Sequence, residues 1–297
     1  WMAATKEWYE INRELKQFDG GKEIPTPNDE YLIYQVLCAH LPMDAGIDES
    51  FKARLEDYLV KAMREAKVNS SWSDPDEFYE NETIAFARKI LSSDSKFPAS
   101  LKRFMEEIIP HGITNSITHL ILKNTVPGVP DTFRGTETWN LSFVDPDNRR
   151  EVDFEQLSAN LDWIIKNYQT DAANLAESLW HQPLDGQLKQ WVSWLTLNER
   201  IQYPDLFQKG SYTPLKVLGK YKNHIIAFSR KYENEYLIVV LPLNTASLPS
   251  DVDWEDTAVE LPEIKVQLEN RLTKQKFEAA KALNVNELFA AVPFGVL

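Results

Sequence analysis

This sequence has little cysteine, and its basic residues are fewer than its acidic ones. Each feature excludes some classes of protein. Its 297 residues include one cysteine, Cys38, so no internal disulfide can form, which fits a reducing compartment. The 32 Lys and Arg residues are outnumbered by 45 Asp and Glu, for a formal net charge of −13. Nucleic acids and anionic lipids are bound through clustered basic side chains, so this charge disfavours both partners.

Membrane and export signals are missing as well. No apolar run approaches the roughly 20 residues of a membrane span, and no charged-then-apolar signal segment opens the chain. We therefore expect a cytoplasmic protein with no nucleic-acid and no membrane partner.

Signals for metals and cofactors are equally lacking. The five histidines show no metal-ligand spacing, and Gly20-Gly21-Lys22 does not match a P-loop. Cys38 lies on an apolar helical stripe and is predicted to be an inert packing residue. The sequence thus predicts no metal and no cofactor. It begins with Trp1 rather than methionine, so we expect either that processing removed an N-terminal part or that this is a piece of a longer polypeptide.

Apolar spacing predicts helices over most of the first 200 residues. A hydrophobic content of 43% with 26% charged residues is ordinary for a folded protein. Asn28 is predicted to cap the second helix, and the ranges 101–109 and 114–125 are predicted as two separate helices. Asp153 and Gln156 form a capping-box pattern at the start of a later helix.

The pattern changes to β-structure after Pro204. His224–Tyr232 and Tyr236–Leu241 are predicted to be two strands joined by a short hairpin loop. Weaker strand patterns follow at 257–261, 264–268 and 288–297.

A polar segment, residues 126–153, separates the helical regions and is the candidate functional segment. Long polar connections fixed by Pro and Gly often carry function. If Gly128–Phe133 is a short buried strand, the residues after it form a strand-to-helix loop of the kind that lines the active-site face of a (β/α)8 barrel.

Composition leaves two interpretations of this segment open. Its carboxylates and guanidinium groups could bind sugar hydroxyls while Trp139 stacks on a sugar ring. Alternatively Asp145, Asp147, Arg149 and Arg150 could cross-link the loop as structural ion pairs.

The amino-acid sequence of this segment resembles that of one family. Val-Pro-Gly-Val-Pro-Asp at 126–131, Gly-Thr-Glu at 135–137 and Val-Asp-Pro-Asp-Asn-Arg-Arg at 144–150 closely resemble the maltooligosyl trehalose synthases of the α-amylase superfamily. Further similar strings occur along nearly the whole chain, at Asn28–Leu32, Lys61–Lys67, Ser71-Trp72, Pro204–Phe207 and Trp254–Thr257.

The resemblance implies an α+β multidomain fragment of a longer barrel enzyme. Residues 1–110 would be a helical region between barrel strands 7 and 8. Residues 111–204 would hold strand 8, its loop and the closing helices, and residues 205–297 a C-terminal antiparallel β domain. The three catalytic carboxylates would lie upstream of Trp1, so the partner of this chain would be the N-terminal remainder of the same polypeptide.

The resemblance also implies a reaction. The family, the (1→4)-α-D-glucan 1-α-D-glucosylmutases, converts the reducing-end α-1,4 linkage of a maltodextrin into an α,α-1,1 linkage by intramolecular transglycosylation. This is retaining chemistry with two displacements. The fragment alone is expected to be inactive, with no catalytic residue of its own and no cofactor. The residues expected to bind the maltooligosaccharide substrate are Asp131, Glu137, Trp139, Asp145, Asp147, Arg149, Arg150 and Trp72.

The chain departs from the family pattern at three positions, and two alternative functions stay open. Phe133 and Arg134 stand where the family usually has Tyr-Gln, and Glu151 stands where it usually has Pro, so contacts at these positions are not carried over. Among the other tryptophans, five are expected to pack on or near helical stripes: Trp1, Trp8, Trp163, Trp191 and Trp194. The alternatives are a portion of an α-amylase- or α-glucosidase-like hydrolase and a non-catalytic carbohydrate-binding module.

Overall fold

A computed structural model describes residues 1–42, 46–249, 252–264, 267–278 and 280–297. The chain divides into two compact units, each described by itself below. Unit 1 comprises Trp1–Ile109 and Leu141–Glu151, and unit 2 comprises Pro110–Asn140 and Val152–Leu297. With 53% of residues helical and 14% in strands, the predicted mixture of helix and sheet is confirmed.

The helices and strands follow the chain in a simple order, helices first and most strands last. The helices are α1 (Met2–Asn12), α2 (Pro27–His40), α3 (Glu49–Ala66), α4 (Glu77–Ile90), α5 (Phe97–Thr125), α6 (Phe154–Thr170), α7 (Ala172–His181), α8 (Gln187–Gln202), α9 (Pro204–Lys209) and α10 (Val285–Leu288). The strands are β1 (Gln17–Asp19), β2 (Lys22–Ile24), β3 (Ser211–Pro214), β4 (Val217–Leu218), β5 (Ile225–Tyr232), β6 (Glu235–Pro242), β7 (Ala258–Glu260), β8 (Leu268–Glu269), β9 (Lys276–Phe277), β10 (Ala282–Asn284) and β11 (Gly295–Val296).

The start of α2 corrects one prediction. Thr26, and not Asn28, is the N-cap, and its hydroxyl accepts a hydrogen bond from the Asp29 amide. Pro27 occupies the first helical position, where its fixed φ fits the helix and its missing N–H removes no helical hydrogen bond. The predicted cap at Asp153 is confirmed, since its carboxylate accepts from the Gln156 amide at 2.9 Å.

Unit 1 is organised around an aromatic core. The ring centroids of Tyr34, Phe97 and Phe104 lie 5.3 to 5.5 Å from that of the fully buried Trp8. Edge-to-face contacts of this kind add to the burial energy of the rings. The prediction that Trp8 packs on a helical stripe is confirmed.

A buried acid lies beside this core. Glu30 on α2 has no exposed surface, forms an ion pair with Lys16 and accepts a hydrogen bond from the Tyr34 hydroxyl. Burial raises the pKa of Glu30, while Lys16 and Tyr34 act in the opposite direction.

Helix α5 is continuous where two helices are predicted. It runs through Pro110, which lies at the division between the units. A proline removes one helical N–H donor but leaves its own carbonyl available as an acceptor. Thr114 donates to the Pro110 carbonyl oxygen at 3.0 Å within the continuing helix.

Unit 2 ends in a small antiparallel β domain. Its four-stranded sheet has the order β11-β6-β5-β3, and a three-stranded sheet has the order β10-β7-β4. The predicted hairpin is confirmed, with β5 and β6 in register from Ile225↔Pro242 to Tyr232↔Glu235.

The weaker strand predictions are only partly correct. The strand expected over 257–261 is present as β7. In the range 264–268, residues 265 and 266 lie outside the described residues, and Leu268 begins β8. The range 288–297 forms a strand only at β11, because the Asn284 cap starts the short helix α10 just before it.

The expected buried strand at Gly128–Phe133 is wrong. The segment is a loop, and Val129 and Phe133 are 96% and 48% exposed. A strand depends on hydrogen bonds from a neighbouring strand, and within the described ranges no strand pairs with this segment.

Candidate functional site

The eight predicted substrate-binding residues are divided between the two units. Unit 1 holds Trp72, Asp145, Asp147, Arg149 and Arg150. Unit 2 holds Asp131, Glu137 and Trp139. The predicted set is therefore split, with five members in unit 1 and three in unit 2.

In unit 1, Asp147 is the centre of what we call the Asp147 cluster. Its Oδ2 accepts hydrogen bonds from the Phe143 amide at 2.8 Å and from Arg54 at 3.0 Å. Its Oδ1 forms an ion pair with Arg150 at 2.9 Å. Both oxygens are engaged within the protein and the side chain is 12% exposed, so Asp147 shapes the loop, as the ion-pair interpretation expects. The cluster comprises Arg54, Lys61, Asp145, Asp147, Arg149 and Arg150.

The other acid of the cluster is more open to solvent. Asp145 forms an ion pair with Arg149, and its backbone carbonyl accepts a hydrogen bond from Lys61. The side chains of Arg149 and Arg150 are 71% and 57% exposed. Guanidinium groups at this exposure can reach a ligand that approaches from solvent.

An aromatic side chain anchors the same loop. Phe143 is 2% exposed, and its ring centroid lies 5.3 Å from that of Tyr58 and 4.6 Å from that of His40. Burial lowers the pKa of His40, with smaller opposing effects from the backbone of Leu141 and Ser142. A cavity of about 130 Å³ lies above this anchor, between α3 and residues 143–147.

Arg54 and Lys61 were not predicted as members of the site. Arg54 lies 93 residues from Asp147 along the chain, and Lys61 lies 84 residues from Asp145. Lys61 does belong to a string that resembles the family, which is the one signal in the sequence that points to it.

Trp72 has a different environment from the Asp147 cluster. Its indole is 58% exposed and lies 5.1 Å from the Arg64 guanidinium. Arg64 in turn makes two hydrogen bonds to Glu80, at 2.8 and 2.7 Å. The guanidinium is thus fixed, and it presents the indole at the surface.

In unit 2, the buried Arg230 and the partly buried Arg200 fix the loop that follows α5. Arg230 is 1% exposed and donates to the carbonyl of Thr125 at 3.0 Å. Arg200 donates to the carbonyls of Asn124 and Gly128, both at 2.9 Å. These bonds satisfy carbonyls that the end of a helix leaves without partners.

The group around Glu137 we call the Glu137 cluster; its members are Lys123, Asp131, Glu137, Trp139 and Lys189. Trp139 donates from Nε1 to the Pro183 carbonyl at 2.6 Å, and Lys189 donates to the Thr138 carbonyl at 3.0 Å. The Lys189 ammonium lies 5.5 Å from the centroid of the Trp139 ring. Trp139 is therefore held by its edge, with one side of its ring against a cation.

Glu137 is half-buried, and one of its carboxylate oxygens lacks a partner. Its Oε2 is buried and accepts no hydrogen bond from the described residues. Burial lowers the pKa of Lys189, and so does Lys123, whereas the charge of Glu137 raises it. A carboxylate oxygen is a strong acceptor for a hydroxyl. Asp131 is exposed, and Lys123 bonds to its backbone carbonyl at 2.9 Å.

The described part of the chain has neither a metal site nor a membrane-spanning helix. No group of three or more His, Cys, Asp or Glu there is arranged to hold a metal ion. Of the helices described, none is both long enough and apolar enough to cross a membrane.

Comparison with known proteins confirms the resemblance. No family model matches the chain. A putative maltooligosyl trehalose synthase from Mycobacterium tuberculosis is 28% identical over 231 residues, which are 78% of this chain and 27% of that protein. The structure of maltooligosyltrehalose synthase from Arthrobacter ramosus is 28% identical with a TM-score of 0.77, over 98% of this chain and 34% of that one.

A second solved maltooligosyl trehalose synthase is 25% identical, with a TM-score of 0.75, over 100% of this chain and 35% of its own. The chain thus spans about a quarter to a third of the length of the relatives it matches.

Proposed function

We propose that this chain is the C-terminal part of an enzyme that converts the reducing-end α-1,4 linkage of a maltodextrin into an α,α-1,1 linkage by intramolecular transglycosylation. The observation that carries the proposal is the match to maltooligosyltrehalose synthase from Arthrobacter ramosus, which extends over 98% of this chain at a TM-score of 0.77. The protein that contains this chain would act in the cytoplasm, in keeping with its single cysteine.

In this proposal each cluster supplies sugar-binding groups within its own unit. Glu137 offers a carboxylate oxygen to a sugar hydroxyl, and Trp139 offers an aromatic face. Arg149, Arg150 and Asp145 contribute charged groups at the surface of the 141–151 loop, and Asp147 keeps that loop in shape. Asp131 and Trp72 are exposed and are proposed as further contacts.

The reacting acids are proposed to lie on the part of the polypeptide that this chain does not cover. Retaining transglycosylation needs two carboxyl groups about 5 Å apart across the scissile bond. The relatives are three to four times longer than the matched region, which leaves room for that pair elsewhere. The remainder of the polypeptide is therefore the proposed partner, with residues 1–110, 111–204 and 205–297 in the barrel positions that the resemblance implies.

A reducing-end assay tests the proposed reaction. The full-length protein is incubated with maltopentaose, and reducing ends are measured over time. We expect reducing ends to disappear without release of glucose, because an α,α-1,1 linkage joins both anomeric carbons.

The alternatives give different results in the same assay. A rise in reducing ends would mean a hydrolase of the α-amylase or α-glucosidase type. No change in reducing ends, with maltopentaose still bound, would mean a carbohydrate-binding module.

A further inference from the structure

Unit 2 contains a cleft that shares no residue with the Asp147 or Glu137 cluster. It lies beside the C-terminal end of α8, α9, the β5–β6 turn and the segment that contains β8. Its volume is about 280 Å³, near the lower end of the roughly 300–1,000 Å³ typical of ligand pockets. The cleft therefore has room for a small ligand or for one end of a longer chain molecule.

A buried carboxylate faces this cleft. Glu199 is only 8% exposed, and its Oε1 accepts a hydrogen bond from Arg271 at 2.8 Å. The carboxylate also lines the cleft. A ligand hydroxyl there can donate a charge-assisted hydrogen bond to it. Glu199 therefore points to a hydroxyl-bearing ligand.

The acids of the cleft are fixed in place by one arginine. Arg271 donates to Glu199 and, at 3.2 Å, to Glu269. Burial acts to lower the pKa of Arg271, but the hydrogen bond and charge of Glu199 raise it overall. The guanidinium thus bonds to both carboxylates and fixes two acceptors in the lining of the cleft.

Three aromatic side chains form part of the wall: Tyr203, Phe207 and Tyr236. The Lys231 ammonium lies 5.0 Å from the centroid of the Tyr236 ring, and the Arg200 guanidinium lies 4.9 Å from that of Phe207. Flat aromatic faces next to carboxylate acceptors suit a sugar, which has an apolar ring face and a rim of hydroxyls.

Charge argues against other ligand classes. Glu199, Glu235 and Glu269 outnumber the single cation Arg271 in the lining, so an anionic ligand would be repelled. In the described ranges, no set of three acidic, histidine or cysteine side chains is placed to hold a metal ion. A neutral polyhydroxy ligand is repelled by neither the carboxylates nor the guanidinium.

We propose that this cleft binds an α-1,4-glucan chain, with Tyr203 and Tyr236 against the sugar rings and Glu199 accepting a hydroxyl hydrogen bond. The choice of α-1,4-glucan rests on the proposed function, whereas the cleft and its chemistry do not. Binding there would hold a long maltodextrin on the protein at a second point.

Affinity electrophoresis of the full-length protein tests the proposal. Native gels with increasing soluble starch give a dissociation constant from the loss of mobility. We expect Tyr236→Ala to weaken starch binding at least fivefold, because it removes a ring that lies against the sugar. Tyr203→Phe keeps its ring and should bind starch like the wild type. Tyr212→Ala is the matched control, because Tyr212 is an exposed tyrosine of unit 2 outside the cleft.

The outcomes separate this proposal from the proposed function. Equal retardation of wild type and Tyr236→Ala would overturn the binding site, as would retardation by dextran instead of starch. If starch binding depends on the cleft but the protein does not act on maltopentaose, only the proposed reaction is refuted. Conversion of maltopentaose without such binding would refute the cleft only.

Discussion

Asp147 and Asp145 lie two residues apart, yet their surroundings give them different roles. Asp147 accepts hydrogen bonds from a backbone amide and from Arg54, and it pairs with Arg150. Asp145 pairs with Arg149, which is exposed. The contribution to stability should therefore come almost entirely from Asp147.

We expect Asp147→Ala to lower the free energy of unfolding by about 2–3 kcal/mol, because it removes charge-assisted bonds from a half-buried carboxylate. Arg149→Ala should cost less than about 1 kcal/mol, since exposed ion pairs contribute little. Urea denaturation of both variants measures the difference. Equal losses for the two would show that Asp147 does not organise the loop.

His40 should make unit 1 sensitive to acid. Burial lowers the pKa of His40 below the ordinary histidine value of about 6.5. Between the lowered and the ordinary pKa, the unfolded chain binds a proton at His40 and the folded chain does not. The free energy of unfolding should thus fall as pH drops below that ordinary value, and the effect should be absent above it.

His40→Phe keeps a ring against Phe143 and removes the titration. Urea midpoints at pH 7.5 and 5.5 should differ less in this variant than in the wild type. The same pH dependence in both proteins would contradict the assignment to His40.

Cys38 should react slowly with thiol reagents. Burial raises the pKa of its thiol to about 11, and the side chain packs against the unit 1 core. Because the thiolate is the reactive form, Ellman's reagent at pH 8 should label the folded chain far more slowly than the urea-unfolded chain. Similar rates in the two states would mean that Cys38 is not packed as described.

Among the secondary-structure elements, the start of α8 depends on a glycine. Gly186 has φ +82°, and a Cβ placed on it would lie 2.7 Å from the Thr138 Cβ and 3.1 Å from the Trp139 amide nitrogen. The residue therefore lets the loop that carries Trp139 lie close to the helix.

We expect Gly186→Ala to destabilise the chain by about 1–3 kcal/mol through the positive φ and the clash. Gly112→Ala in α5 is the control: nothing lies within 4 Å of its Cβ position, and alanine there should stabilise the helix by about 0.5–1 kcal/mol. Thermal unfolding compares the two. A Gly186→Ala variant as stable as the wild type would disprove the close approach.

Local sequence signals predicted the elements whose hydrogen bonds are local. The Asp153 cap and the β5–β6 hairpin are set by neighbouring residues, and both were predicted correctly. The strand at Gly128–Phe133 was not, because a strand needs a partner that no local pattern guarantees, and the two helices joined in α5 show that a single proline does not always end a helix.

The loop of the candidate site was predictable from the sequence, but the residues that hold the loop in place were not. The resemblance pointed to Asp131–Arg150, but Arg54, Lys189 and Arg230 reach that loop only through tertiary folding. Their positions on distant helices and strands carry no signal that marks them as parts of the site. Sequence therefore found the proposed ligand-facing residues and missed those that hold the loop.

At the scale of the whole molecule, we predict that the 297-residue chain alone leaves maltopentaose unchanged. The proposed catalytic pair lies outside it, and the chain covers about a third of the solved relatives. A reducing-end assay of the purified chain checks this. Conversion of maltopentaose by the chain alone would place the catalytic carboxylates within it.

The central claim is that the Glu137 cluster contacts the maltooligosaccharide. The kcat/KM of the full-length protein on maltopentaose, measured for the wild type, Glu137→Gln and the exposed control Glu107→Gln, tests it most directly. Loss of a charge-assisted bond to a sugar hydroxyl should lower kcat/KM about 10- to 100-fold in Glu137→Gln and leave Glu107→Gln unchanged. A Glu137→Gln enzyme with wild-type kcat/KM would contradict the account.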